Sequence, residues 1–269
     1  MYADKYRPWV VEEWTSDKAL LHSRHFEDFF YRDRIRLSVE NTLPAKISRE
    51  VLYRLTEWSG PDPAPASVLW LKGEPTQMED IENQLSVLAA QFIQLVDRTR
   101  IPVISYFCEQ RRGKGLLPGY KTIEEQGMVS LGYALARQMI ELLLPQFFTT
   151  ADLSESRFAR LDGTVISWHD LLSLLGDLAP LLPDIVYIIV DGLQWLDDRS
   201  TATMAKQLVS FLRGYKDKLR VLFTTSGKSG VLLEQLDTNE FIAVDNDMLQ
   251  GDGFILERTD LLSPPGLGP

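Results

Sequence analysis

Asp191 ends an apolar run that begins Ile185-Val-Tyr-Ile-Ile-Val190, and Asp197 and Asp198 follow a few residues later. A carboxylate at the end of a buried strand is well placed to hold a divalent cation through water, and a nearby acid can position an attacking water. Upstream, the strand-like Ser67-Val-Leu-Trp-Leu-Lys72 leads into Gly73-Glu-Pro-Thr-Gln-Met-Glu-Asp80. A loop that wraps phosphates follows G-x-x-x-x-G-K-[ST]: glycines let backbone N–H groups approach, and the lysine neutralises charge. Counted from Gly73, the second glycine falls on Met78, the lysine on Glu79 and the hydroxyl on Asp80. Two carboxylates then face a polyphosphate where one cation is needed. At ~4 Å each such charge reversal turns an attraction of ~1–4 kcal/mol into a repulsion of similar size. The expectation is a nucleotide-binding architecture without its nucleotide. Asp191 and Asp197 are the candidate catalytic residues, and Asp191 is the metal ligand only if a nucleotide binds. A competing reading makes Asp191-Gly192 a strand-to-loop turn, with Asp197 and Asp198 capping a helix that starts near Ser200.

The elements that would position these groups alternate strand and helix. Strands are predicted at Val68–Leu71, Val103–Phe107, Ile185–Val190, Arg220–Thr224 and Phe241–Val244. Helices are predicted at Asp80–Val96, Thr122–Leu143, Trp168–Leu178 and Thr201–Tyr215, with a short one at Val231–Leu236. The strands are continuous apolar runs, as a parallel sheet covered on both faces requires. The alternation predicts an α/β fold: a doubly wound, mostly parallel five-stranded sheet with right-handed crossovers. Before it, residues 1–60 read as a helical extension and connector, with amphipathic stretches at Asp17–Tyr31 and at Ser48–Trp58, the latter N-capped by Ser48. Gly60-Pro-Asp-Pro-Ala-Pro65 breaks the chain before the core, which spans 61–250. Residues 251–269 read as a loose C-terminal tail.

Composition narrows the chemistry. The chain has 269 residues, is 45% hydrophobic and carries a net charge of −10, which argues against broad binding to nucleic acid or anionic membranes. No apolar run approaches the ~18 residues of a membrane span, and no secretory leader pattern is present, so a cytoplasmic or nuclear setting is expected. One cysteine, Cys108, and three histidines supply neither a disulfide framework nor a Cys-rich zinc site.

Five further features have a functional and a plain reading. Ser226-Gly-Lys-Ser-Gly230 contains G-K-S, but the position of the first loop glycine is Leu222, inside a strand, so a surface turn is expected. Glu109-Gln-Arg-Arg-Gly-Lys-Gly115 concentrates three cations and reads as a solvated loop, or as a binding loop for an acidic partner. Cys108 lacks a base partner and reads as a buried thiol, while His169 reads as a surface residue beside Asp170 in a first helical turn. The N-terminal aromatics Tyr2, Tyr6, Trp9, Trp14, Phe26, Phe29, Phe30 and Tyr31 read equally as an interface and as core packing.

The segments Val68–Pro75, Val103–Phe107, Ile188–Asp197 and Val221–Ser226 resemble the NACHT-type (STAND) signal-transduction NTPases of fungi, in particular the nephrocystin-like N-terminal domain. That family's first motif runs roughly W-L-x-G-x-P-G-S-G-K-S. Trp70, Leu71, Gly73 and Pro75 match it, while Thr76, Gln77, Met78, Glu79 and Asp80 replace the rest. The resemblance covers about residues 50–245. It implies a P-loop NTPase fold with Gly73, Pro75, Thr76, Glu79 and Asp80 at the cofactor position and Thr224/Thr225 at the sensor strand, Thr225 being the candidate contact. The expected function is a non-catalytic pseudo-NTPase serving as a protein-interaction or scaffold module, with an unidentified protein partner and no cofactor. The alternative is a weak, unconventional Mg–ATP or GTP hydrolase that uses Asp191 and a cation from Lys72, Lys114 or Lys228. No G-x-S-x-G pattern supports a third class of enzyme in the same crevice.

Overall fold

A computed structural model describes residues 11–38, 44–60, 67–75, 83–108, 116–245 and 254–256. In chain order its elements are β1 (Glu12–Thr15), α1 (Ser16–His22), β2 (Lys46–Ile47), α2 (Arg49–Ser59), β3 (Val68–Gly73), α3 (Gln84–Thr99), β4 (Val103–Phe107) and α4 (Ile123–Glu141). Then come β5 (Gln146–Thr149), α5 (Glu155–Phe158), α6 (Trp168–Leu178), β6 (Val186–Asp191), α7 (Ala202–Gly214), β7 (Leu219–Ser226), α8 (Gly230–Gln235), β8 (Phe241–Val244) and β9 (Phe254–Ile255).

The central sheet has five strands in the order β4-β6-β7-β3-β8, and every pairing is parallel. Alternate residues of each strand serve opposite cores. Leu69, Leu71, Ile189, Leu222 and Ile242 pack with α2 and α3 on one face. Trp70, Tyr106, Ile188, Val190 and Phe223 pack with α4, α6 and α7 on the other. Burial on both sides is why these strands carry no polar alternation. After β3 the chain runs through α3 to the far edge strand β4, then returns across the sheet with its helices on the opposite face. Reversing direction and face together keeps the crossovers of one hand. Connections therefore leave β3 and β7, which are neighbours, toward opposite faces. The carboxyl ends of those two strands form the switch point where such sheets place ligands.

The predicted five-strand core is present, with β4, β8 and α6 at the predicted bounds. Ser48 caps α2 by accepting from the Val51 N–H at 3.3 Å. Four features differ from the expectation. The helix expected from Asp80 starts at Gln84, because Asn83 is the cap and its Oδ1 accepts from the Ser86 N–H at 2.9 Å. The stretch Asp17–Tyr31 is not one helix. Ser23 turns its hydroxyl back to the Ala19 carbonyl at 2.8 Å, ending α1, and a 3-10 turn follows at Arg24–Asp28. The N-terminal part is not wholly helical either, since β1 pairs antiparallel with β5 and β2 with β9. Strand β9 lies inside the span read as a loose tail, and residues 257–269 fall outside the described ones.

The aromatic N-terminal region supplies core. Trp14, Phe26 and Phe30 are buried in the cluster built around α4, with Phe26 edge-on to Tyr133 at a centroid distance of 4.9 Å. Tyr31 stays at the surface, while Tyr2, Tyr6 and Trp9 lie outside the described residues. The outer edge of β4 is sealed by a side chain: Gln138 of α4 accepts from the Ser105 N–H at 3.0 Å and donates to its carbonyl at 2.9 Å. Such capping blunts an edge that would otherwise template pairing with another chain.

Candidate functional site

Asp191 is the last residue of β6, in register with Thr224 of β7 and Phe107 of β4. It is only 8% exposed. Its Oδ1 accepts from Thr224 Oγ1 at 2.6 Å, and its Oδ2 accepts from Ser86 Oγ at 2.7 Å. Ser86 lies in the first turn of α3, the helix that follows β3, and its oxygen in turn accepts from Asn83 Nδ2 at 2.8 Å. Backbone bonds brace the carboxylate: the Gly192 N–H donates to the Thr224 carbonyl and the Cys108 N–H to the Asp191 carbonyl, both at 2.8 Å. Gly192 takes φ +76°, a left-handed conformation that glycine adopts without penalty, and this turns the chain sharply off the strand.

Two of the sequence-derived site residues come together at the switch point. Gly73 ends β3 opposite Ser226, and its carbonyl accepts from the Gly227 N–H at 3.0 Å. Pro75 sits against the same turn, 3.5 Å from where a Cβ on Gly227 would lie. Thr76, Glu79 and Asp80 lie outside the described residues, as does the basic loop 109–115. Thr225 faces away from Asp191; it is buried, accepts from Trp70 Nε1 at 2.8 Å and donates to the Gly227 carbonyl at 2.9 Å. The member of the pair that reaches Asp191 is Thr224.

Asp197 does not join Asp191. Its Oδ2 accepts from Ser229 Oγ at 2.6 Å and from the Val231 N–H at 2.9 Å, so it ties down the start of α8. Nor does it cap α7, whose N-cap is Thr201 without a side-chain bond. Asp198 accepts from the Ser200 N–H, and that bond holds its carboxyl below the ordinary range. Gln194 occupies the turn just past Asp191, and its amide oxygen can accept from the Ser226 N–H at 3.2 Å and from Trp195 Nε1 at 3.1 Å.

The Ser226–Gly230 segment is a turn with Gly227 at φ +107° and Ser229 capping α8, while Lys228 is exposed. Cys108 is buried; desolvation first, and the neighbouring Asp191 charge second, push its thiol well above the ordinary range. His169 is exposed at the start of α6, with Asp170 in the same first turn. Among the described residues no group of three His, Cys, Asp or Glu side chains could hold a metal, and no helix is long and apolar enough to cross a membrane.

Sequence spacing missed the residues that matter most here. In a phosphate loop the lysine immediately precedes the hydroxyl residue that meets the metal-binding carboxylate. The hydroxyl meeting Asp191 belongs to Ser86, so the residue in the lysine's place is Leu85. That side chain is 3% exposed, and its Cδ1 lies 2.7 Å from where a Cβ on Gly73 would be. Leu85 therefore packs against Gly73 within the apolar core on the α3 face of the sheet. Among the described residues the hydroxyl and carboxylate of a magnesium-binding pair are present as Ser86 and Asp191, while the position before the hydroxyl holds a packed leucine. The available signal was Asn83-Gln-Leu-Ser86, a helix-capping pattern lying six positions beyond the spacing of the motif.

Sheet order and two-faced burial together define a doubly wound α/β protein with an all-parallel five-stranded sheet. No protein-family model matches the chain, and no curated protein matches it. Among solved structures it is similar to "Structure of C. elegans PCH-2", at 12% identity and a TM-score of 0.34, covering 82% of this chain and 46% of that one. It is also similar to "Structure of Drosophila ORC bound to AT-rich DNA and Cdc6", at 11% identity and a TM-score of 0.32, covering 86% of this chain and 57% of that one. A third, "Structure of Drosophila ORC bound to DNA", has 11% identity and a TM-score of 0.32, with coverage of 86% and 93%. The chain spans about half the length of the first two. Likeness at these scores carries no functional inference, and the class rests on the topology of this chain.

Proposed function

We propose that the chain is a non-catalytic, NACHT-like pseudo-NTPase that works as a protein-interaction or scaffold module. The supporting observation is Leu85: it stands beside the Asp191-bound hydroxyl, where a lysine is needed, and it fills the space over Gly73. An absent cation at ~4 Å from a phosphate forfeits ~1–4 kcal/mol. The turn after Asp191 offers Gln194 rather than an acid, and Asp197 is engaged at α8. The partner is a protein, in keeping with a net charge of −10 that disfavours polyanions.

Isothermal titration with Mg–ATP and Mg–GTP tests this reading. The expected result is no saturable heat up to millimolar nucleotide, and a dissociation constant in the low micromolar range overturns it. A second reading, a weak Mg-dependent hydrolase, draws on Asp191 standing at the switch point beside a hydroxyl. Turnover that disappears in Asp191→Ala would establish it in place of the first.

A further inference from the structure

The first turn of α3 is tied to the carboxyl ends of three neighbouring strands. Asn83 Nδ2 donates to Ser86 Oγ, which donates to Asp191 Oδ2 on β6, and the other carboxylate oxygen accepts from Thr224 on β7. Beside this chain Leu85 packs on Gly73 of β3, whose carbonyl is bonded to the Gly227 N–H beyond β7. Each hydroxyl donates to a buried carboxylate, the stronger kind of hydrogen bond. At the switch point, the part of such a sheet that a ligand ordinarily organises, these described side chains are therefore bonded to one another.

We propose that Asn83, Leu85, Ser86, Asp191 and Thr224 form a built-in latch that holds this end of the sheet in one state without nucleotide. The module then presents its interaction surface constitutively and is not switched by ATP. This deepens the pseudo-NTPase reading and rests on it. A ligand-driven switch needs a ligand that binds its two states unequally. With a leucine packed beside Gly73 and the Asp191 carboxylate engaged by two hydroxyls, these described residues offer nucleotide no such differential contact.

Hydrogen–deuterium exchange on the full chain, with and without millimolar Mg–ATP, tests the latch. In the wild type the amides of residues 87–90, in the turn that follows Ser86, exchange slowly and equally in both conditions. Ser86→Ala and Thr224→Val each speed exchange there by about 10- to 100-fold, while α6 on the opposite face stays unchanged. Wild-type-like exchange in both variants overturns the latch and leaves the pseudo-NTPase reading intact. Acceleration that is equal in α6 also overturns it, because the variant then loosens the whole fold. Slowing of residues 87–90 by Mg–ATP in the wild type overturns both readings together.

Discussion

Replacing Gly73 with alanine tests the placement of Leu85 directly. A Cβ at position 73 would stand 2.7 Å from Leu85 Cδ1 and 3.5 Å from the Thr225 carbonyl oxygen. The second distance is ordinary contact; the first is not, so the leucine must move. Leu85 is buried among Leu71, Leu88 and Val244 of the α3-side core, and overpacking such a site costs about 1–3 kcal/mol. Leu85→Ala alone leaves a cavity and costs about 2–4 kcal/mol. In the double variant the new methyl enters vacated space, so Gly73→Ala becomes nearly neutral. A coupling of about 1–3 kcal/mol is expected from the double-mutant cycle, read by urea unfolding. At roughly 2–4 °C per kcal/mol for a chain of this size, Gly73→Ala lowers Tm by about 2–12 °C in the wild type and by much less in the Leu85→Ala background. Additivity within ~0.5 kcal/mol, the behaviour of independent sites, would refute the packing of Leu85 against Gly73.

Cys108 should resist thiol-specific reagents in the native protein at neutral pH and react fully after unfolding, because burial disfavours its thiolate; rapid native-state labelling would contradict its placement. Asp197→Ala should remove the bond to the Val231 N–H and cost about 1–2 kcal/mol, with faster amide exchange confined to α8. Burial alone would raise the Glu27 carboxyl, but hydrogen bonds and charge from Arg32 and Arg137 outweigh it and hold it below its ordinary value of 4.5. Stability from this group is thus fully present above that value and is lost as pH falls through the lowered one. Glu27→Gln should flatten the acid limb of a Tm-against-pH curve, and an unchanged limb would count against the linkage. Gln138→Ala leaves the Ser105 N–H and carbonyl without the side-chain partner that seals the β4 edge, so about 1–3 kcal/mol of destabilisation is expected, with earlier aggregation on heating.

The core strands were legible because burial on both faces forces unbroken apolar runs, and such runs are visible without coordinates. Ser48 could be read as a cap for a similarly local reason, since a cap bonds within its own turn. Asp191 at a strand end was readable too, its neighbours on both sides being decisive. The rest needed the folded chain. Thr224 approaches Asp191 across a strand pair 33 residues apart and Ser86 approaches it across 105, distances at which spacing carries no information. Counting a fixed interval from Gly73 pointed to Glu79 and Asp80, whereas the helix start is set by Asn83 capping its own first turn. The acid expected to assist Asp191 went instead to α8, because a nearby helix start offered its carboxylate an unpaired N–H. Local patterns report what each segment buries; which side chains meet at the end of the sheet depends on strand order, and this chain sets that order through contacts far apart in sequence.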